Sequence, residues 1–202
     1  LNESSNNWSS FCKKKCNELG IDLTIKSINP INEGFGIEAN ARDERYRVIR
    51  ESLSSNELLL TAHHKDDQLE TILFRIFRGT GIDGLKGISY YLDNKDSAIF
   101  RPLLEYSRAD LEEYANENNI EWIEDDSNKN TSFDRNYIRN LLIPKIKHRW
   151  KNVEESTYRL SLIAAENHQL LDEVASEDLS QELDFNSISI SCFDSHSLPR
   201  IK

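Results

Sequence analysis

Three side chains within one short segment have the types and the spacing of a binding or catalytic site. His63, Asp67 and Glu70 are separated by four and then three positions. On a helix, where successive residues are rotated by about 100°, this spacing aligns the imidazole and the two carboxylates on one side. Carboxylates form strong, charge-assisted hydrogen bonds with ammonium groups. The segment therefore predicts a site that can hold an amine.

Two other interpretations of the same residues stay open. Asp66 and Asp67 fall in the first turn of the predicted helix, where acidic side chains cap free N–H groups and complement the helix dipole whatever the function. The adjacent imidazoles of His63 and His64, next to these carboxylates, are also the ligand types of a metal site. A structural role and a metal site are thus alternatives to amine binding.

A glycine-containing turn follows this helix. Arg78, Gly79, Thr80 and Gly81 combine a cation with two residues that let backbone N–H groups approach a ligand closely, as phosphate-binding turns require. A turn of this composition is also a common helix C-cap. Phosphate binding and helix termination are therefore both open.

The first half of the chain alternates between helices and strands, and this alternation positions the segment. Periodicity predicts helices from Ser9 to Leu19 and Glu38 to Leu53, and strands from Asp22 to Ile28 and Leu58 to Ala62. Such alternation is typical of a Rossmann-like, doubly wound parallel α/β sheet. His63 then lies at the carboxyl end of a strand, where open α/β sheets bind their ligands.

The predicted helix after His64 is amphipathic. We expect its apolar stripe to pack on the sheet. This stripe consists of Leu69, Ile72, Leu73 and Ile76. The opposite side, which we expect to face an open cleft, carries Asp67, Glu70, Thr71, Phe74 and Arg78.

The second half of the chain changes in charge and in predicted structure. A strand is predicted at Ala98 to Arg101, then a helix from Ser107 to Asn118 capped by Ser107, and a long helix from about Asn152 to Leu179. Nine acidic residues between positions 105 and 126 accompany a single arginine, whereas positions 135 to 151 carry six lysines and arginines and no acid. We expect an α/β domain over residues 1–150 and a helical region over residues 151–202.

Composition excludes several classes of protein. The hydrophobic content is 38%, and no apolar run approaches the roughly 20 residues of a bilayer span. Three cysteines are too few for a disulfide framework and favour the cytoplasm. A net charge of −10 disfavours indiscriminate binding to nucleic acid, so any RNA contact is expected to be local. The chain lacks methionine and begins at Leu1, which indicates an excerpt from a longer protein.

Four strings of the sequence resemble one enzyme family. AHHKDDQLETILFRIFRGTGIDGLKGI, from Ala62 to Ile88, closely resembles the signature of tRNA isoleucine lysidine synthetases, which belong to the PP-loop ATP pyrophosphatase superfamily. Three further strings match in the family's order at residues 38–49, 100–104 and 124–144, namely EANARDERYRVI, FRPLL and EDDSNKNTSFDRNYIRNLLIP. The resemblance covers roughly residues 1–175 and is specific to the family rather than to the fold.

The resemblance implies an adenine nucleotide α hydrolase-like fold and a two-step ligation. ATP would adenylate the wobble cytidine of an isoleucine tRNA with a CAU anticodon. The amine of free L-lysine would then displace AMP and form lysidine. By resemblance, His63, Asp67 and Glu70 lie where the family recognises lysine and the activated base, and they would be the catalytic residues.

The resemblance also implies residues that bind the nucleotide. Arg42 and Arg78 match positions that face ATP, where a guanidinium fork suits developing phosphate charge, and Gly79 and Gly81 belong to the same phosphate-binding turn. An ordinary surface role is the alternative for Arg42. The family's PP-loop, of the form SGGxDS, grips the pyrophosphate of ATP and supplies an aspartate for Mg²⁺, and no such string occurs here. The first strand and the PP-loop are therefore expected upstream of Leu1, and the excerpt alone is expected to be inactive.

A basic stretch in the second half would contact the tRNA backbone. Two aromatic residues, Tyr137 and Trp150, are interleaved with its cations. The alternative is a solvated helix face on which Arg135 and Arg139 pair with Asp125 and Asp126, and we expect both roles, with the arginines near the acids and the lysines further on at phosphate. Residues 151–202 would then begin a C-terminal tRNA-binding domain. The cations of the stretch are Arg135, Arg139, Lys145, Lys147, Arg149 and Lys151.

Two other functions are weighed against the ligase. A different PP-loop enzyme, such as a tRNA thiolase, would need catalytic cysteines near the site, and Cys12 and Cys16, four positions apart, lack the C-x-x-C spacing of thiolation chemistry. A non-catalytic RNA-binding module would use the helix after His64 only as a core helix. The sequence does not fix the oligomeric state, and a homodimer is one of the assemblies compatible with it.

Overall fold

Helices dominate the computed structural model, which describes residues 3–28, 37–54, 56–94 and 97–180. The chain divides into two compact units, residues 1–64 with 89–137 and residues 65–88 with 138–202. A 3₁₀ turn at Asp126–Lys129 and a π-helical segment at Ile138–Leu142 accompany the regular elements. In chain order these are α1 (Glu3–Leu19), α2 (Ile37–Arg50), β1 (Leu58–Leu60), α3 (Lys65–Phe77), α4 (Ile82–Leu85), β2 (Tyr91–Asn94), β3 (Ser97–Phe100), α5 (Arg108–Glu117), α6 (Asp134–Tyr137), α7 (Ile143–Arg149) and α8 (Val153–Ser180).

The first unit contains a small mixed sheet. Its described strands lie in the order β1-β3-β2. β1 runs parallel to β3, with Leu59 opposite Ile99, and β2 runs antiparallel to β3, with Leu92 opposite Ile99. Only two residues separate β2 from β3 in the chain, and a connection that short joins antiparallel strands. The described sheet is therefore mixed, which corrects the prediction of a wholly parallel sheet.

The strands of the structure differ from the predicted strands in two places. Tyr91–Asn94 forms β2, which was not predicted. The segment predicted as a strand from Asp22 to Ile28 carries no ladder with any described residue, and Leu23 and Ile25 are exposed. An alternating pattern predicts a strand only where a partner strand supplies the hydrogen bonds, and local sequence does not show that partner.

The predicted cap of α5 is confirmed. The side chain of Ser107 accepts a hydrogen bond from the backbone N–H of Asp110, and the carboxylate of Asp110 accepts one from the backbone N–H of Ser107. This reciprocal pair satisfies two N–H groups that the helix itself leaves unpaired. Aspartate therefore completes the capping box here, although glutamate is the more usual residue.

Helices alone form the core of the second unit. Leu69 of α3 is buried with Ile138 and Ile143, and four half-buried side chains pack against them. These four are Leu73, Phe74, Leu142 and Val153. The second unit includes residues on both sides of position 150, so the division into domains 1–150 and 151–202 stays a prediction.

The two faces predicted for α3 need correction. Leu69 and Ile72 are buried as expected, but Ile76 at the end of the stripe is 46% exposed. Phe74, expected on the open side, packs in the helical core. Helical periodicity identifies residues that share a face, but it does not identify what covers each face.

No helix within the described ranges is long and apolar enough to cross a bilayer.

Candidate functional site

His63 lies just beyond the carboxyl end of β1 in the first unit. The backbone N–H of Thr61 bonds to the carbonyl of Phe100, which continues the parallel ladder one residue past the strand. The Thr61 hydroxyl lies 2.9 Å from Nδ1 of the half-buried His63. A hydroxyl can either donate to Nδ1 or accept from it. The contact therefore orients the imidazole in either tautomer.

The acidic residues of α3 lie in the second unit, and Glu70 is buried rather than open to a cleft. Glu70 is only 3% exposed. Arg139 donates to Oε2 of Glu70 from Nε at 2.7 Å, and its second terminal nitrogen lies 2.6 Å from the same oxygen. A buried carboxylate is expensive unless it is paired and hydrogen-bonded. Arg139 therefore compensates the charge that the fold buries on α3.

Asp67 is the more accessible of the two carboxylates. Its side chain is 20% exposed, whereas that of Glu70 is 4% exposed. Oδ1 of Asp67 lies 3.5 Å from the terminal nitrogen of Arg139, which is a long ion pair. The same guanidinium thus contacts both acids, but it is bound tightly only to Glu70.

Lys147 neutralises Asp66, the first acid of α3. Its ammonium group lies 2.5 Å from Oδ1 of Asp66 and also contacts Glu154 at the start of α8. Partial burial lowers the pKa of Lys147, but the hydrogen bonds to Asp66 and Glu154 outweigh it, so the pKa lies above its usual value. Lys65, the first residue of α3, pairs with Glu155 at 2.7 Å.

The basic stretch divides into engaged and exposed cations. Arg139 and Lys147 are half-buried and bind the acids of α3. Arg139 therefore has a structural role, and the acids with which it pairs are Glu70 and Asp67. The aromatic side chains of Tyr137 and Trp150 are 52% and 62% exposed. Arg135 is half-buried, and the exposed cations are Lys145, Arg149 and Lys151.

The turn after α3 has the geometry of a helix C-cap. The N–H groups of Arg78 and Gly79 bond to the carbonyls of Arg75 and Ile76, and Gly79 adopts a φ of 75°, which favours glycine. The Arg78 guanidinium lies 5.1 Å from the centre of the Phe74 ring. Gly81 precedes the single-turn helix α4. The C-cap alternative accounts for Gly79, and phosphate binding at this turn remains a prediction.

Two side chains of α3 that sequence reasoning did not single out hold the following loop. Gln68 is 1% exposed, and its amide oxygen accepts from the N–H of Ile88 at 2.6 Å. Arg75 donates to the carbonyls of Gly84 and Gly87 at 3.0 and 2.9 Å. Gly87 has a φ of 63°, and a Cβ atom there would lie 2.5 Å from the Gln68 amide oxygen. A side chain at position 87 would therefore clash with the amide of Gln68.

Arg42 lines a cavity of about 610 Å³ in the first unit. Its guanidinium lies 5.7 Å from the centre of the Tyr46 ring on the next turn of α2. Arg47, Arg50 and Arg101 line the same cavity. Sequence reasoning singled out Arg42 by resemblance but not Arg101, although Arg101 lies in FRPLL, another of the matching strings.

Comparison with protein families establishes the class. Residues 1–146 match the model of the PP-loop domain, and the chain belongs to this family. Membership implies an α/β nucleotide-hydrolase-like fold, and the parallel pair of β1 and β3 is consistent with it. Within the described residues, no group of three or more histidines, cysteines or acids has the arrangement of a metal site.

Within this family, the chain is similar to curated proteins that share one name. The chain is 37% identical over 202 residues to a tRNA(Ile)-lysidine synthase of Actinobacillus pleuropneumoniae, which covers 99% of this chain and 48% of the relative. It is 36% identical to that of Histophilus somni over 100% of this chain and 48% of the relative. It is 40% identical to that of Yersinia pseudotuberculosis over 90% of this chain and 40% of the relative. The chain therefore spans about half the length, or less, of these relatives.

Proposed function

We propose that the protein carrying this chain ligates free L-lysine to the wobble cytidine of an isoleucine tRNA with a CAU anticodon, at the expense of ATP. The observation that carries the proposal is the identity of 36–40% with proteins named tRNA(Ile)-lysidine synthase over almost the whole chain. In the first step an oxygen of the cytosine attacks ATP, and pyrophosphate leaves. In the second step the lysine amine bonds to the base, and AMP leaves.

Asp67 is proposed to bind the ammonium group of lysine. Its carboxylate is partly exposed and only loosely contacts Arg139, so a substrate cation can approach it at a lower desolvation cost than it can approach Glu70. Glu70 is proposed to act through Arg139, because the tight pair between them fixes the guanidinium that also reaches Asp67. Carboxylate and guanidinium together suit an amino acid, which carries both charges.

His63 is proposed to accept the proton that the attacking amine must lose. An ammonium group has no lone pair, so it has to be deprotonated before it can form the new bond. The contact with Thr61 supports this role, since it places a hydroxyl 2.9 Å from Nδ1, where the hydroxyl can orient the ring.

The nucleotide and the tRNA are assigned to cationic side chains. Arg42, Arg78 and the turn of Gly79 and Gly81 are proposed to face the phosphates of ATP, in the Rossmann-like fold of this family. The described residues assemble no group of histidines, cysteines or acids that could hold Mg²⁺. The exposed members of the basic stretch are proposed to contact the tRNA backbone. They are Lys145, Arg149 and Lys151.

A transfer assay tests the proposal. The protein in its full length is incubated with ATP, radiolabelled lysine and an isoleucine tRNA that carries a CAU anticodon. We expect label to enter the tRNA with release of equal amounts of AMP and pyrophosphate, and no transfer to a tRNA whose wobble cytidine is replaced by uridine. A folded protein that transfers no lysine to the CAU tRNA would refute the ligase.

A further inference from the structure

The cavity between α2 and the sheet of the first unit collects positive charge over an apolar floor. Leu92 and Ile99, which are paired across β2 and β3, contribute that floor. Two acids, Asp43 and Glu51, also line the cavity. Four arginines surround the same space, namely Arg42, Arg47, Arg50 and Arg101. The lining therefore has an excess of cations, which favours a ligand of negative charge.

Among the residues that the structure describes, Arg47 is the one of these four arginines that forms ion pairs with carboxylates. Arg47 donates to Glu44 at 2.5 and 2.8 Å and to Glu51 at 2.5 Å. Arg42 and Arg50 instead lie 5.7 and 5.9 Å from the centre of the Tyr46 ring. Within the described ranges neither forms an ion pair with a carboxylate. Two guanidinium groups thus lie at one aromatic ring, and no carboxylate among the described residues pairs with either of them.

Arg101 is the fixed member of the set. It is 6% exposed, and its terminal nitrogen donates to the carbonyl of Ser89 at 2.5 Å. Its buried Nε finds no acceptor among the residues that the structure describes. A buried guanidinium group with an unsatisfied donor is costly. It directly follows β3, at the edge of the sheet where parallel strands end and where α/β folds bind ligands.

We infer that this cavity is a phosphate-binding site in which Arg101 supplies a buried donor and Arg42 and Arg50 supply more accessible charge. A phosphate oxygen accepts several hydrogen bonds at once and matches the planar fork of arginine. The inference deepens the proposed function and rests on it, since that reaction supplies two sources of phosphate, the nucleotide and the tRNA backbone. Arg101 and Arg50 thereby join Arg42 as residues that bind phosphate.

Equilibrium dialysis of the full-length protein tests the site without any catalytic turnover. The probes are radiolabelled ATP, pyrophosphate and an isoleucine tRNA with a CAU anticodon, each at two salt concentrations. Arg101→Gln and Arg50→Gln are compared with Arg45→Gln, a control on the same helix whose exposed side chain does not line the cavity. We expect the first two changes to weaken one class of probe about tenfold, the value of a charge-assisted hydrogen bond, and the control to leave binding unchanged.

The pattern of loss identifies the source of the phosphate. Weaker binding of ATP and pyrophosphate alone supports a nucleotide site, and weaker binding of tRNA alone, with a smaller salt dependence, supports a backbone contact. Unchanged binding of all three probes to folded Arg50→Gln would overturn the inference. Arg50→Gln carries the decision if Arg101→Gln does not fold, because Arg50 is exposed. Failure of lysine transfer with probe binding intact would instead count against the proposed function alone.

Discussion

The acidic start of α3 and the arginine-lined cavity differ in how far their charges are paired. On α3, Asp66 and Glu70 each meet a cation from the second half of the chain, at 2.5 and 2.6 Å. In the cavity, Arg42, Arg50 and Arg101 lie together, and no described carboxylate pairs with them. Balanced charge stabilises the folded chain by itself, whereas an excess of one sign is stabilised by a ligand of the other sign. The comparison predicts opposite responses to the loss of an arginine.

The largest effect is expected on α3. Arg139→Gln leaves the carboxylate of Glu70 buried without its partner. Removing one partner of a buried pair costs about 3 kcal/mol, and the partial exposure of Arg139 places the loss at the lower end of the range. Urea denaturation measures it.

A double-mutant cycle separates this pair from general damage. Glu70→Leu combined with Arg139→Leu should recover most of the lost stability, because no charge is then buried alone. Arg149→Gln, at an exposed position of α7, is the control and should be neutral. Equal losses in the single and double variants would contradict a coupled pair.

The next effect concerns substrate rather than stability. Asp67→Asn should lower kcat/KM for lysine about tenfold, the value of one charge-assisted hydrogen bond, through a higher KM. The melting temperature should barely move, because the contact with Arg139 is long at 3.5 Å. Steady-state kinetics of lysine transfer give the first quantity, and calorimetry gives the second. A collapse of the melting temperature would make Asp67 structural.

Stability at high pH tests the balance at Lys147. The folded pKa of this ammonium group is raised above its ordinary value of 10.5. Its contribution is therefore complete below the unfolded pKa and is lost as the pH rises through the folded value. The free-energy difference between the wild type and Lys147→Met should be constant near neutral pH and shrink above about pH 10. A difference that persists unchanged at pH 11.5 would show that the methylene chain, rather than the charge, stabilises the protein.

Local signals in the sequence were sufficient for the longer helices, but they missed the short helices α4, α6 and α7 and the surroundings of each helix. The capping box of Ser107 and Asp110 and the position of α3 depend on neighbours within one or two turns, and periodicity captured them. The partner of Glu70 lies 69 residues away. Arg139 resembles any cation of a basic stretch until the fold brings it to α3, and so the spacing that aligned Glu70 with Asp67 could not reveal that Glu70 is buried.

The cavity shows the same limit from the other side. Arg42 was singled out only through the resemblance of its surrounding string, whereas Arg101 sits in FRPLL and looks like an ordinary strand end. Its burial and the unsatisfied Nε arise from packing beside Ser89 and the sheet. Propensity describes a residue's own backbone, and the cost of burying its charge depends on distant side chains.

The smallest effect has the opposite sign and sharpens the comparison most. Arg50→Gln removes a cation that pairs with no described carboxylate, so the free energy of unfolding should stay equal or rise by about 0.5 kcal/mol at low salt, as for other like-charge contacts on a helix. The difference should vanish at about 1 M salt, where the screening length is about 3 Å. Urea denaturation at both salt concentrations measures the change. A loss above about 1 kcal/mol would mean that Arg50 is compensated within the chain, and the contrast with Arg139 would no longer hold.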